Sequence, residues 1–273
     1  MIEAITSEKD AFIQQRWEDY AAEQHEVWKI LFNRRMGQLK DAGSKVFCEG
    51  IERIGLSPNH VPNLEDVNKR LEPLTGWRAV PVSGFLEAKL FFKCLAERRF
   101  PTTVIIRRME QLDYLPEPDI FHDVFGHVPL HSDPVFANFL QEFGAVAAAA
   151  QSENEVKMLT RLFWFTVEFG LIEEHGKPKA YGSGLISSAA DCANALSPKC
   201  QRLPFSLKAI FSQDFEVSDL QNVLFVVKSF DELFEAAEKA KKMLTNGELR
   251  IAGEKESAVK MVMGCCGGHE HSH

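Results

Sequence analysis

The chain opens with apolar positions at helical spacing. Ser7 and Asp10 form a capping-box pattern in front of them. The spacing predicts a long amphipathic helix whose buried face holds Phe12, Trp17, Tyr20, Ala21, Val27, Trp28 and Leu31. Residues 55–84 lack such a repeat, and we expect ordered loops rather than long regular elements because the stretch contains Pro58, Pro62, Pro73 and Pro81.

Later segments alternate between helix and strand patterns. Helical patterns cover residues 85–98, 158–172 and 231–244. Asp133 in front of Pro134 predicts another helix start, since the carboxylate can cap a helix and proline suits its first turn. Short β-branched runs predict strands at TTVIIR (residues 102–107) and within NVLFVV. Together these patterns predict a mainly α fold with small β elements and no internal repeat.

Composition narrows the class of protein. The 273 residues are 45% hydrophobic, which is enough for a large core in one domain or at most two compact ones. A formal net charge of −8 would repel the phosphate backbone of nucleic acid. Nucleic acid is therefore not an expected partner.

No segment suits a membrane or a secretory route. The opening MIEAITSEKD carries charges where a signal peptide needs an apolar core, and the longest apolar stretch, LFWFTVEFGLI, is too short to span a bilayer. The six cysteines follow neither a disulfide framework nor a pair of zinc-binding CxxC motifs. We expect a cytoplasmic protein with reduced thiols and no membrane partner.

Two histidines are the first candidates for chemistry. His122 and His127 lie in PEPDIFHDVFGHVPL, with Gly126 between them. In a chain with nine histidines this spacing alone is weak evidence, because both side chains could equally be hydrogen-bonded in a core. A third ligand is needed to favour a metal site.

Glu168 is the candidate for that third ligand. It lies in LFWFTVEFGLI, a segment that is apolar on nearly every side and therefore expected to be buried. A buried carboxylate without a partner either becomes protonated or binds a cation. The cation could be a metal ion, or the carboxylate could pair with Arg161 or another base.

Two neutral imidazoles and one carboxylate form the facial triad that leaves coordination positions open on iron(II) for oxygen. A structural zinc site normally closes with four protein ligands. Catalytic zinc stays an alternative, although the HExxH motif of zinc peptidases is absent from the sequence. Oxygenation is favoured over zinc-dependent hydrolysis, and a helical binding module without metal is the non-enzymatic alternative.

Four separated blocks make the chain from about residue 20 to residue 244 resemble the aromatic amino acid hydroxylases, most closely their short bacterial members. The blocks are PNLEDVNKRLEPLTGW, PEPDIFHDVFGHVPLHSDP, WFTVEFGLI and KAYGSGLISS. The resemblance implies a single catalytic domain that hydroxylates L-phenylalanine to L-tyrosine with iron(II), a tetrahydropterin and molecular oxygen. Tryptophan or tyrosine hydroxylation is the alternative. Val217 favours phenylalanine, because tyrosine-hydroxylating members carry aspartate at that position.

The resemblance also assigns roles to residues. It implies that His122, His127 and Glu168 bind the iron. It places Arg107 on the substrate carboxylate, which a guanidinium can bind through two parallel hydrogen bonds, and Asp119 beside Arg107 to orient it. Without the resemblance, Arg107 would be interpreted as a solvated charge at a strand end.

Two further groups of residues follow from the resemblance. The amino acid pocket would be lined by residues that could otherwise belong to the core: Pro116, Trp164, Phe169 and the stretch from Gly184 to Ser187. The pterin would lie near Gly84, Leu86 and Phe91, with the Phe91 ring offered for stacking.

For domain organisation, the resemblance implies a catalytic domain over residues 1–263 without the regulatory domain or the C-terminal oligomerisation helix of other members. We expect a monomer or a small homo-oligomer. Residues 264–273 (GCCGGHEHSH) are expected to form a flexible tail, whose cysteines and histidines could also bind a metal.

Overall fold

The computed structural model describes residues 4–113, 118–217 and 219–251. Helices dominate these ranges, and none of the described helices is long and apolar enough to cross a membrane. The helices are α1 (Glu8–Ala11), α2 (Ala22–Ala42), α3 (Lys45–Arg53), α4 (Leu64–Thr75), α5 (Ala88–Ala96), α6 (Pro134–Ala148), α7 (Glu153–Phe163), α8 (Ser183–Ser187), α9 (Ala189–Leu196), α10 (Leu207–Ser212), α11 (Phe230–Thr245) and α12 (Glu248–Ile251).

Short strands form two small sheets. They are β1 (Arg78–Pro81), β2 (Arg99–Thr102), β3 (Leu171–Glu174), β4 (Lys177–Ala180), β5 (Gln201–Pro204) and β6 (Val223–Val227). β1 and β2 pair in parallel, and the second sheet has the order β4-β3-β6-β5. In that sheet only the β3–β4 pair is antiparallel among the described strands. The predicted mainly α fold with small β elements is confirmed.

Four local predictions are confirmed. Helix α5 lies within the predicted residues 85–98, strand β6 within NVLFVV, and helix α11 covers residues 231–244. Helix α6 begins at Pro134, and Asp133 caps it by accepting the N–H groups of Val135 (3.0 Å) and Phe136 (2.9 Å). In each case the local pattern agrees with the tertiary contacts.

The predicted helix through residues 12–31 is confirmed from Ala22, where α2 begins, and is wrong before that residue. An irregular segment with one 3₁₀ turn separates α1 from α2. The polar tips of two aromatic side chains explain the break. Trp17 Nε1 donates to the Val61 carbonyl (2.7 Å), and the Tyr20 hydroxyl donates to the Val104 carbonyl. A continuous helix would not bring both side chains to these separate loops.

The expectation of loops over residues 55–84 is wrong for the middle of that range, where α4 lies. Asn63 caps this helix by accepting the Glu65 N–H (2.9 Å), and Gly76 ends it with a φ of 76°. Pro73 lies in the last turn, where it removes one backbone donor without breaking the helix.

The strand predicted over residues 102–107 is wrong beyond its first residue, where β2 ends. Backbone N–H groups after that point bind carboxylates instead of a neighbouring strand. The Thr103 N–H donates to Asp123 Oδ2 (2.6 Å). The Arg107 N–H donates to Asp119 Oδ2 (3.0 Å). Side chains distant in sequence therefore decide this backbone conformation.

The helix predicted over residues 158–172 ends too late. Helix α7 passes into a π-helical turn at Trp164–Glu168, and β3 begins at Leu171. A β-carbon at Gly170 would lie 2.3 Å from the Thr166 carbonyl oxygen, so the chain turns sharply where only glycine fits.

Aromatic rings fix the segment of residues 121–127 to the helices around it. Phe125 contacts Phe32 of α2 (ring centroids 5.4 Å apart), Phe47 of α3 (5.5 Å) and Phe121 (4.6 Å). Such pairs contribute about 0.5–1.5 kcal/mol each beyond the burial of their area. The described residues share one hydrophobic core, whereas the predicted domain end at residue 263 and the tail at 264–273 lie outside the described residues.

A pair of glycine substitutions tests the packing of α5 against α6. A β-carbon at Gly144 would lie 2.6 Å from the Ala96 backbone nitrogen, whereas nothing lies within 4 Å at exposed Gly37 of α2. We expect Gly144→Ala to lower the free energy of unfolding by about 1–3 kcal/mol, because the two helices must separate. Gly37→Ala should raise it by about 0.5–1 kcal/mol, because alanine favours helix. Urea denaturation measures both, and an undiminished stability of Gly144→Ala would contradict the packing.

Candidate metal centre

His122 and His127 lie on one π-helical turn, Phe121–His127. Residues five apart point in different directions on an α-helix, which has 3.6 residues per turn. The wider π turn, with hydrogen bonds from residue i to i+5, brings them to one side. Both side chains are buried, and their rings meet edge to face with centroids 5.1 Å apart.

Glu168 ends the second π-helical turn and completes the cluster. Its side chain is 1% exposed. Oε1 lies 3.2 Å from His127 Nε2, and Oε2 lies 3.7 Å from His122 Nε2. One ligand atom from each of the three residues lies within 4.8 Å of the other two. The structure thus brings together the three residues that the sequence predicted as ligands.

Arg161, the alternative partner considered for Glu168, is engaged elsewhere. Its guanidinium donates to Asp214 and to the Phe211 carbonyl. The buried carboxylate is therefore not compensated by this arginine.

Burial and mutual contacts set the charge states of the cluster. Burial lowers the pKa of His122 to about 4, so its imidazole is neutral at neutral pH. Burial raises the pKa of Glu168, but His127, His122 and the Ser183 hydroxyl lower it by more, to about 2. A neutral imidazole and an ionised carboxylate are the forms in which these side chains bind metals.

A serine of α8 fixes the tautomer of His122. Ser187 Oγ lies 2.7 Å from His122 Nδ1, and the same hydroxyl donates its hydrogen to the Ser183 carbonyl (2.8 Å). Ser187 must then accept from His122 Nδ1–H. That tautomer leaves the lone pair on Nε2, which has no hydrogen-bond partner among the described residues.

The donor set fits a metal ion. A buried nitrogen lone pair without a partner is unfavourable, and a metal ion placed between the three residues would satisfy it. Two imidazoles and one carboxylate leave coordination positions open, which suits iron(II) and oxygen rather than a closed structural zinc site.

Arg107 and Asp119 form an ion pair next to the histidines. Arg107 donates through Nε to Asp119 Oδ2 (2.8 Å) and through Nη2 to Oδ1 (3.0 Å), and Oδ1 also accepts the His122 N–H (3.0 Å). Burial raises the pKa of Asp119, but the guanidinium and these N–H groups hold it below its usual value. Within the described ranges no hydrogen bond reaches Arg107 Nη1, so donors remain for a second carboxylate.

Trp164 and Phe169, both predicted to line the amino acid pocket, are in contact, with ring centroids 4.6 Å apart. Phe215 stacks on Trp164 at 4.3 Å with the planes 17° apart. Gln221 Oε1 accepts the Trp164 indole N–H (3.3 Å). A β-carbon at Gly184 would lie 2.9 Å from Phe169 Cζ, so a larger residue there would have to displace the Phe169 ring. Their role as a pocket stays a prediction.

The residues predicted to bind the pterin lie just before and within α5: Gly84, Leu86 and Phe91. Leu86 and Phe91 are buried. Phe91 meets Phe100 edge to face at 6.0 Å, and Phe100 contacts His127 with centroids 4.7 Å apart. A line of ring contacts joins Phe91 to a candidate ligand, and the pterin role itself stays a prediction.

Two remaining predictions gain nothing from the structure. Pro116 lies outside the described residues. Val217 is 46% exposed, so its link to the choice of substrate also stays a prediction.

Sequence reasoning missed residues that contact the predicted ones: Phe100, Ser183, Phe215 and Gln221. Ser183 had a usable signal, because it precedes Ser187 by four residues in KAYGSGLISS and helical spacing places both on one face. Phe215 and Gln221 lie in an irregular segment, where no local pattern points to Trp164.

Comparison with known proteins gives one consistent result. The family model for biopterin-dependent aromatic amino acid hydroxylases matches residues 14–250. A phenylalanine-4-hydroxylase of Mesorhizobium japonicum is 40% identical over 224 residues, which cover 81% of each chain. Two solved structures of Chromobacterium violaceum phenylalanine hydroxylase, one with iron(III) and 7,8-dihydrobiopterin and one with cobalt, each have a TM-score of 0.83 and 37% identity. Each comparison covers 89% of both chains.

Glu168→Ala tests the proposed ligand set. We expect the variant to fold but to retain about one metal ion fewer per chain than the parent, because a three-ligand site loses its only anionic ligand. Glu173→Ala, which removes an exposed carboxylate of β3, is the matched control and should bind like the parent. Elemental analysis after anaerobic loading with iron(II) measures the metal content of each protein. Metal bound by the tail cancels in the comparison, because the parent and the variants carry the same tail. Equal metal content in Glu168→Ala and the parent would refute the ligand set.

Proposed function

The chain belongs to the biopterin-dependent aromatic amino acid hydroxylases, and from this premise we propose that it is a phenylalanine 4-monooxygenase. It hydroxylates L-phenylalanine to L-tyrosine with iron(II), a tetrahydropterin and molecular oxygen. The observation that carries the proposal is the buried convergence of two imidazoles and one carboxylate. Relatives named phenylalanine-4-hydroxylase at 40% identity support phenylalanine as the substrate.

His122, His127 and Glu168 hold the iron. When bound, the iron and the tetrahydropterin supply the oxygen activation and ring hydroxylation that no protein side chain can provide. The contribution of the chain is to fix the ligands: Ser187 holds His122 in the tautomer that presents Nε2. Phe100 packs on His127 and keeps water from that ring.

Arg107 anchors the substrate by its carboxylate. Asp119 accepts hydrogen bonds from Nε and from one hydrogen of Nη2. The edge of the guanidinium formed by Nη1 and Nη2 therefore keeps two parallel donors for a planar carboxylate. The flat side chains of Trp164 and Phe169 clamp the substrate ring. The pocket is completed by Pro116, Gly184 and Ser187.

The pterin lies along the segment that begins α5. Gly84, Leu86 and Phe91 line its site, and Phe91 offers a ring for stacking. The contact from Phe91 through Phe100 to His127 supports this placement, because a pterin that acts together with the iron would have to bind close to the iron ligands.

We also propose a cytoplasmic catalytic domain over residues 1–263 that acts as a monomer or a small homo-oligomer, without nucleic acid or membrane partners. The cysteines that the structure describes are free thiols, as expected in a reducing compartment: Cys48, Cys94, Cys192 and Cys200. The net charge of −8 also disfavours nucleic acid.

Tyrosine formation tests the reaction. The chain is supplied with phenylalanine, iron(II), tetrahydropterin and oxygen, and each component is omitted in turn. Product detected by chromatography should require all four. Tyrosine and tryptophan are tested as substrates in parallel, and a preference for either would replace phenylalanine in the proposal. No product from any of the three, with iron bound, would refute the proposed activity.

Arg107→Lys tests the substrate anchor and keeps the positive charge beside Asp119. Lysine cannot offer two parallel donors, so the KM for phenylalanine should rise on the order of tenfold or more. Iron content should not change. The neighbouring Arg108 is exposed, and Arg108→Lys serves as the matched control with an unchanged KM. Equal KM values for the two variants would remove Arg107 from the substrate site.

A further inference from the structure

We propose that Ser183 is a positioning residue of the metal centre: its hydroxyl reserves Glu168 Oε2 as a hydrogen-bond acceptor and leaves Oε1 to bind the metal. This inference rests on the proposed function, because it takes His122, His127 and Glu168 as the ligands. It concerns a residue outside that ligand set.

The contact is short and dry. Ser183 Oγ donates to Glu168 Oε2 at 2.7 Å. Ser183 and Glu168 are each 1% exposed, so water does not compete for the hydroxyl or for the carboxylate. Hydrogen bonds to an ionised carboxylate are stronger than neutral ones. The other oxygen, Oε1, lies closer to a ligand nitrogen, 3.2 Å from His127 Nε2.

Glycines on both sides of the contact allow α8 to approach Glu168 this closely. A β-carbon at Gly182 would lie 2.5 Å from the Glu168 carbonyl oxygen, and one at Gly184 would lie 3.1 Å from it. On the π-helical turn that carries the two histidines, a β-carbon at Gly126 would lie 3.2 Å from Ser183 Cβ. Three segments are thus packed backbone to backbone around one serine, which limits how far its hydroxyl can move.

A buried arginine fixes the far end of α8. Arg35 of α2 is 4% exposed and donates to the carbonyls of Ile186 (2.7 Å) and Leu185 (3.0 Å). A cation at the C-terminal end of a helix also interacts favourably with its dipole. Because α8 is held at both ends, Ser183 can act as a fixed donor rather than follow the carboxylate.

The consequence concerns the number of open positions on the metal. A carboxylate can bind a metal through one oxygen or through both. If both oxygens of Glu168 bound, one fewer coordination position would remain open on the metal. A hydrogen bond that engages Oε2 favours binding through Oε1 alone and so preserves that position.

Cobalt(II) binding to the full-length chain tests the proposal, because cobalt absorption reports the coordination of the ion independently of turnover. Ser183→Ala removes the donor. Ser132→Ala is the matched control, since Ser132 is also buried but its hydroxyl donates to the Pro129 carbonyl (2.7 Å). We expect Ser183→Ala to bind cobalt(II) about tenfold or more weakly with a changed visible spectrum, a typical effect of losing a partner of a ligand. Ser132→Ala should match the parent in both.

Parental affinity and spectrum in Ser183→Ala would overturn the proposal. If that variant fails to fold by circular dichroism, a crystal structure of the cobalt-bound parent decides. Glu168 bound through Oε1, with Oε2 on Ser183 Oγ, is the expected result, and both oxygens on the metal would overturn the proposal. A parent that binds no more cobalt than Glu168→Ala would instead overturn the proposed metal site itself. This comparison separates the two failures, because both chains carry the same tail.

Discussion

The negative charge of Glu168 lies in surroundings built mainly of aromatic and aliphatic side chains, and its compensation is the constraint on which the centre depends. Removing a carboxylate from water is unfavourable by several kcal/mol unless opposite charge and hydrogen bonds replace the water. The described contacts of this carboxylate are two imidazoles and the Ser183 hydroxyl, whereas Arg161 pairs with Asp214. Because burial keeps His122 neutral, its imidazole supplies no positive charge, and a cation bound between the three side chains would complete the compensation. Metal binding and the stability of this region are therefore linked.

The backbone around Glu168 departs from regular α-helix, because the three buried side chains have to be brought together. The three candidate ligands lie on two π-helical turns and can meet only if these turns approach closely and direct their side chains towards each other. The π turns at Phe121–His127 and Trp164–Glu168 orient these side chains towards one another. Glycines allow the backbone segments to pack closely, since a β-carbon at Gly182 would lie 2.4 Å from the Gly170 backbone nitrogen. The aromatic packing of Phe125 then holds this arrangement against α2 and α3.

The parts of the fold that could be predicted from sequence are those that local contacts decide. Asp133 in front of Pro134 specifies a helix start by its own hydrogen bonds. The predictions for residues 12–21 and 103–107 were wrong because groups distant in sequence form hydrogen bonds with their polar atoms, as Asp123 does with the Thr103 N–H. The same difference between local and distant contacts decides which site residues could be predicted. Glu168 was identifiable because an apolar segment surrounds it in the sequence, whereas Phe215 reaches Trp164 only through the tertiary fold.

Asp119 joins the proposed substrate anchor to the metal centre. Its Oδ1 accepts from Arg107 Nη2 and also from the backbone N–H of His122, at 3.0 Å in each case. The arginine that is proposed to bind the amino acid and the turn that carries two ligands thus share one buried acceptor. Because this acceptor is 1% exposed and engaged on both sides, the fold fixes the guanidinium of Arg107 relative to the candidate metal ligands. On the proposed role of Arg107, the fold would therefore also set the distance from the substrate carboxylate to the metal. A ring held by aromatic walls alone could slide, whereas a carboxylate held by Arg107 fixes how far the ring reaches. The carboxylate of the amino acid, and not the aromatic ring alone, should therefore govern which molecules present a ring carbon to the metal.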